Sequence, residues 1–218
     1  SALLNDPDRA CNIIRTLTEG LAPHGIPVSA KIRLLSDVDA TMEFISRLIQ
    51  AGAKAVAIHG RQVGDEAVTP ARWDFLRQVV IKAVAKFPET PFLVNGDFYT
   101  RHSFVGFMKE TGACGVLLAR PALYNTSIFH NPENGENFSS ETYGYDSPLL
   151  LDKTTVIQDY LKFSARYDMH FKNAKYVLCE MLSHRRTPTN RVADMEFELL
   201  SVFHYNFVCF FMAVFFYN

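Results

Sequence analysis

The chain has 218 residues, of which 48% are hydrophobic and 21% are charged, and its formal net charge is -1 at pH 7. This composition excludes a disordered, collagen-like or coiled-coil protein, and the length is too short for a complete (β/α)8 barrel of about 250 residues together with a further domain. The four cysteines are far apart and form no CxxC pair, which disfavours a zinc ribbon or a disulfide framework. We therefore expect a cytoplasmic protein without a metal site.

Helical and strand patterns alternate through the first 130 residues, which is typical of a parallel α/β sheet. The short apolar runs predict strands that are buried on both faces. The predicted elements are a helix that begins at Asp6-Pro7, a strand at 27–33, a helix from Asp39 or Thr41, a strand at 55–59, a helix at 73–83, a strand at 92–95, a helix at 103–110 and a strand at 115–119.

The rest of the chain consists of three segments that differ in composition. Residues 131–151 are rich in Asn, Glu, Ser, Gly and Pro and predict a linker, whereas residues 152–192 have a helical pattern. Residues 193–218 form an apolar tail whose last twenty residues carry no formal charge, so by length they could span a bilayer. Polar residues interrupt this stretch and no charged anchor follows it, so we favour a non-native reading frame over a membrane anchor.

Polar side chains follow each predicted strand at its carboxyl end, the edge at which parallel α/β folds bind ligands. These residues are Lys31, Arg33, His59, Arg61, Asn95, Asp97 and Arg120. One such residue alone is more often structural, and Asn95-Gly96-Asp97 also fits a simple turn. Four strands together favour a ligand site, and the Gly96 amide with Ala119-Arg120 on the next strand suits a phosphate. No Walker A or GxGxxG motif is present.

Four segments in this order resemble the tRNA-dihydrouridine synthase family: residues 27–33, 55–61, 93–97 and 115–123. Residues 167–182 resemble the eukaryotic branch that acts at position 20 of the tRNA D-loop, and the resemblance extends from residue 1 to about residue 192. It implies an α/β fold. Residues 1–130 would be the C-terminal half of an FMN-binding TIM (β/α)8 barrel, strands five to eight, and residues 152–192 a small all-α tRNA-binding domain.

The same resemblance implies roles for the strand-end residues. Lys31 and His59 would contact the flavin, and Arg33 and Arg61 would lie near the substrate uridine. The residues implied to hold the FMN phosphate are Asn95, Gly96, Asp97, Ala119 and Arg120. In the implied reaction NADPH reduces FMN, the flavin passes a hydride to uridine C6, and a cysteine protonates C5.

The family cysteine lies on an earlier loop, upstream of residue 1, and none of the four cysteines present fits its position: Cys11, Cys114, Cys179 and Cys209. The loop at residues 62–66 is also less basic than the family loop. We therefore expect that this chain alone does not reduce uridine.

Basic and aromatic residues are interleaved in the helical region, which suits phosphate contacts and base stacking in tRNA. The expected tRNA-binding residues are Arg166, Lys172, Asn173 and Lys175, with Arg185, Arg186 and Arg191 nearby. Two other interpretations stay open: a non-catalytic tRNA-binding product, and another FMN-dependent barrel oxidoreductase, such as one of the dihydroorotate dehydrogenase type. Residues 167–182 argue against the latter.

Overall fold

The computed structural model of the chain describes residues 2–129, 151, 153–182 and 213–216. The chain divides into two compact units, one formed by residues 1–118 with 214–218 and the other by residues 119–213. Apart from residue 151 and the strand at 213–216, the predicted linker and the apolar tail lie outside the described residues. The domain limits predicted from the sequence stay predictions.

Helices and strands alternate in the first unit, as the sequence pattern predicts. Its elements are a 3-10 turn (Ala2–Asn5), α1 (Pro7–Leu21), a 3-10 turn (Ala22–His24), β1 (Ser29–Leu34), α2 (Val38–Gln50), β2 (Ala55–Gln62), α3 (Trp73–Lys86), β3 (Phe92–Asn95), α4 (Arg101–Thr111) and β4 (Gly115–Leu118). The remaining elements are α5 (Arg120–Tyr124), a 3-10 turn (Thr126–Phe129), α6 (Lys153–Arg166), α7 (Phe171–Leu182) and β5 (Ala213–Phe216).

The strands β1 to β4 form a parallel sheet in sequence order, with β5 as the fifth strand beside β4. This confirms the predicted α/β class and the parallel sheet, while the half-barrel stays a prediction. The strand β2 extends three residues past its predicted end because Gln62 pairs with Leu34 after an irregularity in β1.

Side-chain caps explain where the helices begin. Asp6 accepts a hydrogen bond from the backbone N–H of Arg9 at 3.1 Å, which confirms the predicted cap of α1. The helix α2 begins at Val38, earlier than predicted, because Asp37 accepts from the Ala40 N–H at 2.8 Å. That hydrogen bond also lowers the pKa of Asp37.

The two faces of the sheet differ in what they contact. One face is buried beneath α2, α3 and α4 and contributes the central apolar residues Ile32, Leu34, Val56, Ile58, Val94, Val116 and Leu118. The opposite face has a smaller buried cluster of Ala57, Leu93 and Leu117. Because side chains alternate along a strand, the polar residues Lys31, Arg33, His59 and Asn95 lie on this second face.

In the second unit, α7 packs against α5 and α6. The buried Asn125 side chain donates from Nδ2 to the carbonyl oxygen of Leu151 at 3.0 Å, and the Ser127 hydroxyl donates to Asn125 Oδ1 at 2.6 Å. The helices predicted after residue 152 are present as α6 and α7. Their role as an all-α domain stays a prediction. None of the described helices has the length and apolar character needed to cross a bilayer.

Candidate functional site

Three strand-end residues form a row across the sheet near its carboxyl edge. In the strand register, Arg33 is paired with His59, and His59 is paired with Asn95. Lys31 lies two residues before Arg33 and so points to the same face. The structure therefore brings Lys31, Arg33, His59 and Asn95 together on one face of the first unit.

Lys31, on the same face as the row, is the cation that the described part of the protein leaves without a hydrogen-bond partner. Its ammonium has no hydrogen-bond or ion-pair partner among the described residues, whereas Arg33 donates to the carbonyl oxygens of Gln62 at 3.1 Å and Asp65 at 3.4 Å. The Lys31 side chain is solvent-exposed, yet enough protein surrounds its Nζ that burial, followed by the charge of Arg33, lowers its pKa. An anion or a polar ligand oxygen would stabilise this ammonium.

His59 is neutral at physiological pH. Burial lowers its pKa to about 4, and the positive charges of Lys31, Arg61 and Arg33 act in the same direction. The imidazole therefore acts as a hydrogen-bonding group rather than as a cation in this row.

Arg61 is buried near the row, and every nitrogen of its guanidinium has a hydrogen-bond partner. One nitrogen bonds both carboxylate oxygens of Asp97 at 2.9 and 2.8 Å, and another lies 3.1 Å from His59 Nε2. Further bonds reach the carbonyl oxygens of Thr69 at 2.5 Å and Ala67 at 3.2 Å. These hydrogen bonds indicate that Arg61 holds neighbouring parts of the protein in place. The contact of Arg61 with a substrate stays a prediction, and these bonds disfavour it.

The loop after β3 is fixed by hydrogen bonds from neighbouring elements. Asn95 donates from Nδ2 to the carbonyl oxygen of Leu117 at 2.7 Å, and Trp73 donates from Nε1 to the carbonyl oxygen of Gly96 at 2.9 Å. The Asp97 carboxylate accepts from the Ala71 N–H at 2.8 Å. The side chains predicted to meet a phosphate thus hold the shape of the loop.

Gly96 is required by the geometry of this loop. Its φ of +142° lies in a region that residues with a side chain rarely adopt, and a Cβ there would be 2.8 Å from the Cβ of Ala71. The close approach keeps the backbone of the β3 loop against the segment that precedes α3.

The other two residues predicted for a phosphate begin the second unit. Ala119 follows β4 directly and its carbonyl oxygen accepts from the Leu123 N–H at 3.1 Å, and Arg120 is the first residue of α5. Because they belong to the second unit, a joint role with Asn95 and Gly96 stays a prediction.

The residues predicted to bind tRNA are all exposed: Arg166, Lys172, Asn173 and Lys175. Aromatic rings stand exposed beside them, with Phe163 stacked on Tyr167 at 6.3 Å and the guanidinium of Arg166 5.8 Å from the Tyr167 ring. Phe171, also exposed, stacks on His170 at 5.1 Å. Arg185, Arg186 and Arg191 lie outside the described residues.

None of the described cysteines is one of the strand-end residues. Cys11 is buried on α1, and Cys179 is on α7 in the second unit. Cys114 is next to the amino end of β4, where its thiol donates to the carbonyl oxygen of Phe92 at 3.2 Å and burial raises its pKa. Cys209 is not among the described residues.

Sequence reasoning missed Trp73 and the pairing of Arg61 with Asp97. Trp73 is the only tryptophan of the chain, and the helical pattern at 73–83 gives no indication of a partner for its indole N–H. Arg61 and Asp97 each lie two residues after a member of the paired row, His59 and Asn95, so their opposite charges at equivalent positions of neighbouring segments were a usable signal. Within the described ranges, no group of three or more His, Cys, Asp or Glu residues could hold a metal ion.

Comparison with known proteins gives a consistent result. A family model described as dihydrouridine synthase (Dus) matches residues 1–201. The tRNA-dihydrouridine(20) synthase (NAD(P)+) of Schizosaccharomyces pombe is 28% identical over 183 residues, which are 84% of this chain and 34% of that protein. A probable tRNA-dihydrouridine synthase of Aquifex aeolicus is 32% identical over 127 residues, 58% of this chain and 39% of that protein.

This chain therefore spans about a third to a half of the length of the curated relatives that it matches. Among solved structures, dihydrodipicolinate synthase from Oceanobacillus iheyensis matches 52% of this chain and 35% of its own, at 20% identity and a TM-score of 0.36.

Proposed function

Because this chain belongs to the dihydrouridine synthase family, we propose that it forms part of an FMN-dependent enzyme that reduces a D-loop uridine of tRNA to dihydrouridine with NADPH. The position-20 type of uridine is favoured by the similarity to the enzyme of S. pombe. A cytoplasmic location, suggested by the scattered cysteines, belongs to the same proposal.

The observation that carries this proposal is the unpartnered ammonium of Lys31 beside the neutral imidazole of His59. Two donors on one face of a parallel sheet, at its carboxyl edge, fit an electron-rich ring edge with carbonyl oxygens. The flavin ring of FMN has such an edge. Bound FMN would supply hydride chemistry, while Lys31 and His59 would orient its ring.

The β3 loop fits the other end of the cofactor. The bonds from Trp73 to Gly96 and from Ala71 to Asp97 fix the backbone of the loop before any ligand binds. A fixed backbone without a side chain at Gly96 suits close approach of a phosphate, which Asn95, Gly96 and Asp97 would border.

Flavin titration tests the binding proposal. FMN added to the full chain should lose fluorescence as it binds, and Lys31→Met should weaken binding at least about tenfold, the effect of losing one charge-assisted hydrogen bond. Lys54→Met is the matched control, because Lys54 is exposed just before the amino end of β2. Equal FMN affinity for Lys31→Met and the unaltered chain would contradict the proposal.

We further propose that the 218 residues alone do not complete the reaction, because in the first unit neither Cys11 on α1 nor Cys114 beside the amino end of β4 is a residue of the carboxyl edge that could protonate C5 of uridine. The purified chain with FMN, NADPH and unmodified tRNA should form no dihydrouridine above background. Turnover in this assay would overturn that part of the proposal and leave the flavin titration unaffected.

A further inference from the structure

Arg61 and His59 meet in a way that determines where the proton of the imidazole resides. The guanidinium nitrogen Nη1 of Arg61 lies 3.1 Å from Nε2 of His59. We propose that Arg61, held by Asp97, is a positioning residue that fixes the proton of His59 on Nδ1, so that His59 meets its ligand as a hydrogen-bond donor.

The chemistry of the two groups allows only one direction for this hydrogen bond. A guanidinium has five N–H donors and no acceptor, and it stays protonated at all physiological pH values. Nε2 of His59 therefore accepts, which in the neutral ring leaves the single proton on Nδ1. The opposite tautomer would place two N–H groups against each other at 3.1 Å.

Arg61 has little freedom to turn away from His59. Its side chain is 6% exposed, and both oxygens of Asp97 accept from its Nη2. The carbonyl oxygen of Thr69 accepts from its Nε at 2.5 Å. Asp97 is itself fixed by the N–H of Ala71, so the position of the guanidinium is determined by two backbone segments.

The charges around His59 also oppose a second proton on the ring. Lys31, Arg33 and Arg61 place three positive charges near the imidazole, and Asp97 is the carboxylate that acts against them. With burial as the largest cause, they lower the pKa of His59 to about 4. The neutral ring therefore persists at pH 7, and the hydrogen bond from Arg61 selects its tautomer.

The consequence concerns the kind of ligand atom that His59 contacts. Nδ1 has no hydrogen-bond partner among the described residues, so a ligand has to supply an acceptor such as a carbonyl oxygen, an unprotonated ring nitrogen or a phosphate oxygen. The identification of this ligand as the flavin rests on the proposed function. The tautomer itself does not depend on it.

Nitrogen NMR of the full chain with 15N-labelled histidine tests the inference, with the His59 signals assigned by their loss in His59→Gln. At pH 7 we expect the shifts of an Nδ1–H, Nε2-unprotonated ring. In the paired variant Arg61→Met with Asp97→Asn, which removes both members of the buried pair and leaves no donor at position 61, this pattern should be lost in favour of an Nε2–H or averaged ring. Arg33→Gln removes a nearby charge but not the hydrogen bond, so it should keep the Nδ1–H pattern.

An Nε2–H ring or an imidazolium in the unaltered chain at pH 7 would overturn the inference, as would an unchanged Nδ1–H pattern in the paired variant. If the paired variant does not fold, the spectrum of the unaltered chain decides alone. FMN titration of the same samples separates the two proposals. If the ring carries its proton on Nδ1 but the chain binds no FMN, the result supports the tautomer and counts against the flavin role. If the chain binds FMN but the ring carries its proton on Nε2, the result supports the flavin role and counts against the tautomer.

Discussion

Trp73 donates its indole N–H to the carbonyl oxygen of Gly96 at 2.9 Å and thereby ties the first residue of α3 to the loop after β3. The ring is held in turn by Phe98, stacked at 5.0 Å, and by the edge of Phe107 at 5.9 Å. The loop that borders the candidate site is therefore positioned by a hydrogen bond and by aromatic packing.

Trp73→Phe should separate the hydrogen bond from the packing. It keeps an aromatic ring against Phe98 but leaves the Gly96 carbonyl without its donor, so the free energy of unfolding should fall by about 1 kcal/mol beyond the loss of ring area. Urea unfolding measures this. Trp73→Ala, which also removes the ring, should cost about 3 to 5 kcal/mol, and a Trp73→Phe variant that loses no more than its smaller ring area accounts for would contradict the role of the hydrogen bond.

Gly96→Ala should destabilise the protein, on the order of 2 to 3 kcal/mol, because the new Cβ meets the Cβ of Ala71 and φ is unfavourable for alanine. Gly106→Ala is the matched control, since Gly106 lies within α4 with nothing within 4 Å of the added Cβ. That change should stabilise by about 0.5 to 1 kcal/mol. Thermal unfolding of both variants gives the comparison, and shifts of the same sign would refute this account of the loop.

The sequence predicted the sheet well because its signals are local. Runs such as 92–95 and 115–118 are continuous apolar segments between helical patterns, and such runs favour buried parallel strands. The predicted first residue of α2 was wrong. Asp37 and Asp39 are both suitable N-cap residues, and only the structure shows that Asp37 accepts the hydrogen bond from the Ala40 N–H.

The sequence predicts which strand-end residues meet in the candidate site, but it does not predict the hydrogen bonds around them. Strand ends on adjacent parallel strands must meet, so the row from Arg33 through His59 to Asn95 follows from the pattern. The direction of the Arg61 side chain does not follow from the pattern. It depends on hydrogen bonds to the carbonyl oxygens of Ala67 and Thr69, which lie in an irregular loop that has no periodic sequence pattern.

Arg61→Met should be among the most destabilising single changes in the first unit. It removes the guanidinium that bonds both carboxylate oxygens of Asp97, which is 11% exposed, and breaking one partner of a buried pair costs about 3 to 5 kcal/mol. Lys82→Met breaks the exposed pair with Asp39, where the loss should be below about 1 kcal/mol. Urea midpoints of the two variants measure the difference, and similar values would show that the Arg61–Asp97 pair stabilises no more than a surface pair.

The stability of the first unit should fall as the pH decreases through the titration range of His59. The pKa of His59 is about 4 in the folded protein and about 6.5 in an unfolded chain, so between these values the unfolded chain binds more protons. The contribution is complete above about pH 6.5, decreases toward pH 4 and changes no further below it.

Urea unfolding at pH 7.5 and pH 5 measures this loss, which should be smaller in His59→Gln. Arg33→Gln should also reduce it, because one of the positive charges that lower the His59 pKa is gone. An identical pH dependence in the unaltered chain and His59→Gln would show that His59 does not titrate as described.

Lys172 and Lys175 should make salt-dependent contacts with tRNA. They are exposed and three residues apart on α7, so they share a face beside the exposed rings of Phe171 and Tyr176. Each phosphate contact that is lost lowers the slope of log affinity against log salt concentration by about one. The double change Lys172→Gln with Lys175→Gln should therefore weaken tRNA binding and reduce that slope by about two.

The matched control is Lys54→Gln with Lys82→Gln, which removes the same net charge from exposed positions of the first unit outside the proposed surface. Binding of unmodified tRNA to the full chain, measured by filter retention between low and physiological salt, should keep its slope in this control. Phe171→Ala should weaken binding at every salt concentration without changing the slope, because stacking on a base releases no counterions. An unchanged slope in the double lysine variant, or an equal change in the control, would place the tRNA contact elsewhere on the chain.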